Sequence, residues 1–364
     1  MALTNDRAYP YDVTADYEGT TSNAMTQTHD IATLLSDRFA SAADAENAEN
    51  AIAWLDHEGI MEVSGADAAR FLQGQLTCDL SNLSLQTSTL GARCNPKGRM
   101  QSSFRLLKTT DTDYLLALSA DLLQAQISEL GKYAVFFKAK IADISAQWIR
   151  LGIWGPQAQQ ILIAAGFDIP GQSNDVTHHA AGLIARQNED VYEVWLRVDH
   201  AMPALDALCQ GATPVSREAW TVRQIRSGIG QINKLTYESF IPQMINLQQL
   251  GGVSFRKGCY TGQEIVARMQ YLGKLKRRMY RLLLAGEAAP PSGTVIVDRD
   301  TGKPVGEVVL AARSNRMVEI LAVLQKDAAQ SVIMSVADSS GPLLTLADLP
   351  YEFELAASEA DKEN

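Results

Sequence analysis

Between Ala51 and Ala337 the chain is written in short apolar runs closed by turn signals, with single helical stretches set between them. That grammar restricts the fold more than any other feature. Leu90 to Cys94 and Met100 to Leu107 read as strands joined by Asn95-Pro96-Lys97-Gly98, a composition that makes a tight turn. Tyr114 to Ser119 reads as the next strand, leading through Asp121 as N-cap into a helix that ends near Tyr133. Trp148 to Trp154, a helix after Pro156, Val191 to Val198 and a helix from Ala201 to Cys209 repeat the pattern. Before them, Ile52, Trp54, Ile60 and Val63 alternate across Asp56-His57-Glu58-Gly59 as a hairpin would, and Ser64 to Gln73 reads as a short helix with Phe71 and Leu72 inward. Hairpins mixed with single helices predict α+β layers rather than a doubly wound parallel sheet. After Arg278 the runs Arg278 to Ala285, Thr294 to Asp298, Val305 to Ala311, Met317 to Leu324 and Ser331 to Ala337 predict a small antiparallel barrel or sandwich.

The 364 residues exceed what one core ordinarily holds, so two or three domains are expected. No apolar run approaches the roughly 18 residues of a membrane span, and Met1 to Asp12 lacks the basic and apolar regions of a secretion signal. A cytoplasmic protein without membrane contact is expected. The net charge of -10 argues against a nucleic-acid partner, but it is unevenly placed. Residues 1–50 carry nine acidic and two basic side chains, and residues 351–364 carry five and one. These read as a mobile N-terminal extension, of which Ile31 to Phe39 could dock, and an acidic tail. The body between them is close to neutral. Cys78, Cys94, Cys209 and Cys259 form no C-x-x-C pair, and His178 and His179 are adjacent, so neither a disulfide scaffold nor a metal site is expected. Cys78, Cys94 and Cys209 read as small buried hydrophobes.

No phosphate loop, H-E-x-x-H or G-x-S-x-G is present. One segment stands out, Lys257-Gly258-Cys259-Tyr260-Thr261-Gly262-Gln263-Glu264. Thr261 and Glu264 have capping-box spacing, which sets Cys259 just before a helix N-terminus, with Arg256 and Lys257 adding positive charge. A reactive thiol and a structural cysteine in a tight turn are both compatible with that placement. From Gly251 to Arg281 there are eight basic residues and one acid, a run that could receive RNA phosphates or the glutamate tail of a folate, or be a solvated surface. Ser216 can cap a helix whose inward stripe is Ala219, Val222, Ile225 and Ile229; Trp220 lies off that stripe, placed to stack on a heterocycle or to pack against a neighbouring domain.

Lys257 to Glu264, with Phe71-Leu72-Gln73-Gly74-Gln75-Leu76-Thr77, Lys132-Tyr133-Ala134-Val135-Phe136 and Ile241-Pro242-Gln243 to Asn246-Leu247-Gln248, resembles YgfZ-type folate-binding, tRNA-modifying proteins. These are relatives of the glycine-cleavage T-protein and of a mitochondrial iron-sulfur assembly factor. The resemblance runs from about Ala51 to Tyr351. It implies a three-domain cloverleaf with ferredoxin-like layers: a discontinuous folate domain from 51–145 and 215–275, a second α+β domain from 146–214, and a β-barrel from 276–350. It implies tetrahydrofolate or another reduced folate as cofactor, and a role in iron-sulfur cluster assembly or repair that reaches tRNA-thiolating enzymes indirectly. Cys259 takes the place of the essential cysteine, with Lys257 and Glu264 beside it. Trp220, Gly258, Tyr260, Gln263 and Arg268 fall to the folate site. A second tryptophan expected in the family is matched here by Glu58, an acidic position by Ser227, and an acidic pair found in T-proteins by Ser102 and Ser103. The last change removes the group that would handle the proton in aminomethyl transfer. The rival readings are a tetrahydrofolate-dependent aminomethyltransferase, and direct tRNA binding through residues 256–281.

Overall fold

The computed structural model of the chain describes residues 31–39, 48–271, 275–314 and 317–352. Most of the two acidic ends falls outside these residues. Residues 31–39 form helix α1, with Leu35 and Phe39 buried in the same core as Ile52 and Ile153, and Arg38 bonded to Asp206 at 2.8 Å. That segment is therefore docked rather than part of a free extension. Two apolar residues four apart on one helical face are enough to bury it.

Three sheets carry the rest. The first contains β1 (Ala51–Trp54), β7 (Trp148–Trp154), β8 (Val176–His179), β9 (Gly182–Asn188), β10 (Val191–Arg197) and β11 (Thr213–Val215) in the order β11-β1-β7-β10-β9-β8. The second is antiparallel throughout, with β2 (Glu58–Ser64), β3 (Ser88–Cys94), β4 (Met100–Lys108), β5 (Asp113–Ser119) and β6 (Lys140–Asp143) ordered β3-β4-β5-β2-β6. The third contains β12 (Arg277–Ala285), β13 (Val295–Asp298), β14 (Pro304–Ser314), β15 (Met317–Gln325), β16 (Met334–Val336) and β17 (Leu344–Ala347). Its order is β16-β13-β14-β15-β12-β17, and a bridge between Ser335 and Leu343 draws its two ends together into a curled half-barrel. The strand β17 was not expected from the sequence, because its alternation spans only four residues.

The hairpin expected from Ile52 to Val63 does not form. β1 pairs with β7 and β11, while β2 pairs with β5 and β6, so the turn at Asp56 and His57 carries the chain from one sheet to the next. Alternation identifies strands but not their partners. The crossing places His57 and Glu58 where the two sheets meet.

Helices α2 (Ala68–Gln73), α3 (Ala120–Ala134), α4 (Ala158–Ala164), α5 (Ala201–Gly211), α6 (Arg217–Arg226), α7 (Gln263–Tyr271) and α8 (Lys326–Ser331) cover these layers. In α3 the inward stripe is Leu122, Leu123, Gln126, Leu130 and Ala134, and Asp121 and Lys132 sit at the ends the helix dipole favours. Ser119, not Asp121, occupies the N-cap; Asp121 instead accepts from Ser119 Oγ at 2.8 Å and from the Lys234 amide at 3.0 Å. The largest core lies under the second sheet, where Phe71 and Leu72 of α2 meet Leu106, Leu116 and Val266. Burying a side chain such as Phe71 contributes about 2–3 kcal/mol. No described helix is long and apolar enough to cross a membrane.

Candidate functional site

Two places have chemistry, and they are separate. The first is a cleft at the junction of the sheets, lined by His57 and Glu58 from the crossing turn, Leu90, Gly91, Ser103, Phe104 and Arg105 from the β3–β4 hairpin, Arg150, Glu193, and Thr221 and Gln224 of α6. Its cavity volume is about 70 Å³, narrow for a small-molecule site, and it is partly open to solvent. Glu193 accepts from Arg105 Nε at 2.7 Å and from Arg150, Arg150 also pairs with Glu58, and Gln231 donates to the same Glu58 carboxylate. The guanidinium of Arg150 lies 4.3 Å from the centre of the Trp195 ring. Burial pushes the Glu193 carboxyl up, and its two arginine partners more than offset this and hold it below the usual carboxylate range. His57 Nδ1 is buried without a hydrogen-bond partner. Burial, then the charges of Arg150 and Arg217, push His57 down to about 4. It faces the cleft as a neutral imidazole with an unused ring nitrogen.

The signal for this network was present in the sequence. Arg105, Arg150 and Glu193 are each flanked by apolar residues within a strand, a pattern that folding tolerates only when the charge is paired. Pairing across sheets could not be read from spacing.

The second place is the loop Lys257 to Gly262. Cys259 is exposed, and no residue of the loop lines the cleft. Its neighbours hold it from both sides. The Lys257 side chain is turned inward, 8% exposed, and Nζ donates to the carbonyls of Leu76 and Cys78 at 2.8 and 2.7 Å. Burial pushes Lys257 down to about 8, against the opposing pull of Cys78 and Asp79. Gln263 Oε1 accepts from the Tyr260 amide at 3.2 Å, and its Nε2 donates to the Lys257 carbonyl at 3.3 Å. One side-chain amide thus ties the backbone on either side of Gly258 and Cys259. The expected capping box is replaced by this arrangement. Helix α7 begins at Gln263, Val266 N–H bonds to the Gly262 carbonyl, and Gly262 has φ +84. A Cβ there would stand 2.5 Å from the Asn95 carbonyl oxygen, so the position requires glycine. Glu264 and Arg268 are exposed, and Tyr260 is buried beneath the Lys257 ammonium.

Trp220 as a stacking face, the basic run as one surface and Cys209 as a fully buried residue are expectations that change. Trp220 is 2% exposed and packs on Trp154 with ring centroids 5.9 Å apart, in space that Gly152 leaves free. It is core, so it offers no open face for stacking; α6 lends the cleft Thr221 and Gln224 instead. The basic run 256–281 is not one face. Lys257 is buried and Arg281 pairs with Glu319, which Arg226 also contacts. Ser103 Oγ accepts from the Ile232 amide at 2.8 Å and Ser102 Oγ donates to Gln126 at 3.2 Å, so both serines serve the scaffold. Cys78 and Cys94 are buried, with their thiols pushed up to about 12 by burial; Cys209 is half-buried.

A cleft between two α+β layers closed by a curled β-sheet is the arrangement of the aminomethyltransferase T fold. The structure superposes on the glycine cleavage system aminomethyltransferase T from Bartonella henselae with a TM-score of 0.70, at 19% identity, covering 84% of this chain and 87% of that one. The GCVT N-terminal domain family matches residues 32–214. More specifically, the chain is 36% identical over 304 residues to the tRNA-modifying protein YgfZ of Edwardsiella ictaluri, covering 80% of this chain and 89% of that protein. It is 33% identical over 326 residues to that of Photobacterium profundum, covering 87% and 96%. The chain belongs to the family of YgfZ-type tRNA-modifying proteins.

Proposed function

We propose that this protein binds a reduced folate, tetrahydrofolate or a close relative, in the cleft, and supports iron-sulfur cluster assembly or repair through Cys259. By that route it affects iron-sulfur-dependent tRNA modification in the cytoplasm. The observation that carries the folate assignment is the cleft itself. Leu90, Phe104 and Leu310 give apolar walls for a flat ring, while His57 Nδ1, without a partner, and the Glu58 carboxylate offer polar contacts for its edge. These residues fit a pterin. A bound reduced folate supplies one-carbon or two-electron chemistry. The chain's own part is to hold the ring, exclude water from it and fix its edge at His57 and Glu58.

The thiol reading rests on exposure and on the anchoring of its loop. Lys257 and Gln263 position Cys259 without touching what it meets, and Tyr260 supports Lys257 from below. Gly258 lies in the thiol loop, Glu264 and Arg268 on the helix that follows it, and none of the three lines the cleft. The layout we propose for this activity is the cloverleaf, with folate-domain segments around 51–145 and 215–275, a second domain around 146–214 and the half-barrel from 276. β1 belongs to the sheet of the second domain. No observation favours aminomethyl transfer, since the positions of the T-protein acids hold scaffold serines.

The test is a calorimetric titration with tetrahydrofolate of the wild type, His57→Leu and Glu58→Gln, alongside complementation of a deletion strain by Cys259→Ser. Binding that is weakened about tenfold or more in the cleft variants supports the site, as expected for a lost buried hydrogen bond to the ligand. Unchanged affinity moves it elsewhere. Full rescue of tRNA thiolation by Cys259→Ser removes the thiol.

A further inference from the structure

The surface around Cys259 carries a feature that neither the fold nor the folate cleft uses. At the end of α3, Val135 and Phe136 are 73% and 82% exposed, with Tyr133 half-exposed beside them. Tyr271 at the end of α7 is 68% exposed, its ring edge-on to Phe255 at 6.1 Å. Such side chains are normally buried, and an exposed group of them marks a contact surface.

These residues share one end of the second-sheet layer with the thiol. Phe137, next to Phe136, stacks on Phe71 of α2 at 5.3 Å and lies under Arg70. Gly74, just after α2, accepts from the Thr261 amide, two residues from Cys259. The rise from Arg70 to Gly74 is only about 6 Å. On the other side, a Cβ on Gly98 would meet Ile265 of α7 at 3.0 Å, which seats the β3–β4 turn against the same helix.

The charge of this face is opposite to that of the chain. Arg70, Lys97, Arg99, Lys138, Arg256 and Arg268 are all exposed on it. Of the nearby acids, Asp67 is paired with Arg70 at 3.3 Å and Glu129 with Lys132 at 2.5 Å. Glu264 is exposed, and Asp79, close enough to act on Lys257, accepts only from the uncharged donors of Gln73 and Ser81. A cationic field on a protein of net charge -10 points to an anionic partner.

Gly258 adds an independent observation. Its φ lies outside the left-handed region, and a Cβ built on it would meet nothing within 4 Å. The fold therefore does not require glycine there, in contrast to Gly262. A position left bare beside an exposed thiol suits close approach from outside.

We infer that this face binds a single-stranded segment of RNA, its unpaired bases stacking on Phe136, Tyr133 and Tyr271, its phosphates on the surrounding arginines and lysines, and its backbone passing over Gly258 beside Cys259. Aromatic faces interleaved with cations are what unstructured nucleic acid requires, because every base has a stacking face and every linkage a charge. Lysines are depleted at protein–protein contacts, whereas Lys97 and Lys138 are exposed on this face. The inference goes beyond the folate reading and does not depend on it.

The experiment is fluorescence anisotropy of the full chain with a labelled, unstructured 12-nucleotide RNA and with the same sequence as a duplex. With about four phosphates neutralised, affinity for the single strand falls about 50-fold between 50 and 200 mM salt. Phe136→Ala or Tyr271→Ala weakens binding by about 5- to 150-fold. Gly258→Ala weakens binding with an unchanged melting temperature, and Lys303→Gln on the half-barrel leaves it as in the wild type. Absent or salt-insensitive binding overturns the inference, as does tighter binding of the duplex or an equal loss in Lys303→Gln. Face variants that bind RNA normally but fail to bind a purified apo iron-sulfur protein would assign the face to a protein instead. Tetrahydrofolate titration of the same samples reads the cleft separately, so loss of either activity is assigned to its own site.

Discussion

Glu193 is the residue whose replacement tests the architecture most directly. Its carboxylate is buried between Arg105 of the second sheet and Arg150 of the first, so with the Arg150–Glu58 pair it joins the two layers at the cleft. Glu193→Gln keeps the shape, removes the charge, leaves the buried Arg105 guanidinium without its carboxylate and leaves Arg150 with Glu58 alone. Breaking a buried pair in this way costs about 3–5 kcal/mol. The pH dependence has a definite sign. The native carboxyl is held below its unfolded value, so its stabilisation is complete above the usual carboxylate range and is lost as pH falls through the native value. The gap between wild type and Glu193→Gln should therefore be widest near neutrality and narrow on acidification. Urea unfolding followed by intrinsic fluorescence at a series of pH values measures both. A gap under about 1 kcal/mol at pH 7, the size of an exposed pair, refutes the reasoning, and so does a gap that widens with acid.

Lys257→Met leaves the Leu76 and Cys78 carbonyls without their donor, a loss of about 1–3 kcal/mol for each group. Because the native ammonium is pushed down to about 8, wild-type stability gains from Lys257 as pH rises from there toward the ordinary lysine range, and pH-dependent melts of the variant should lack that gain. Gly262→Ala costs about 1–2 kcal/mol for its left-handed backbone, and more for the contact with Asn95, whereas Gly258→Ala costs almost nothing; paired thermal melts separate the two. Trp220→Ala should lose about 3–5 kcal/mol in chemical denaturation yet retain tetrahydrofolate affinity, and a well-folded variant that has lost affinity would restore the indole to the ligand site.

Local patterns in the sequence foretold the strands of the β3–β4 hairpin, the long helix α3 and the strand-rich closing sheet, because each depends on side-chain periodicity within one segment. Pairing was another matter. Nothing in Ile52 to Val63 distinguishes a hairpin from a chain that leaves one sheet for the next, since both demand the same alternation. The octapeptide around Cys259 was legible as a special site, and its capping geometry was not: Thr261 and Glu264 have the right spacing, but the left-handed Gly262 starts the helix later and gives the tie to Gln263. The sequence leaves Trp220 between stacking on a ligand and packing, and what decides for packing is a void over Gly152, on a strand 68 residues earlier. The charges flanked by apolar residues in β4, β7 and β10 announced burial, but which charge met which depended on how the layers stack.

The β3–β4 hairpin has its middle in the cleft, at Leu90, Gly91 and Ser103, and its tip against Gly262 and Ile265 of the thiol loop. It therefore acts as a ruler between the two places. The four residue steps of extended chain from Gly91 to Asn95 set a span of about 13 Å. Lengthening both strands by two residues would move the thiol loop about 7 Å further from the cleft, so the length of the hairpin sets the separation of the two places.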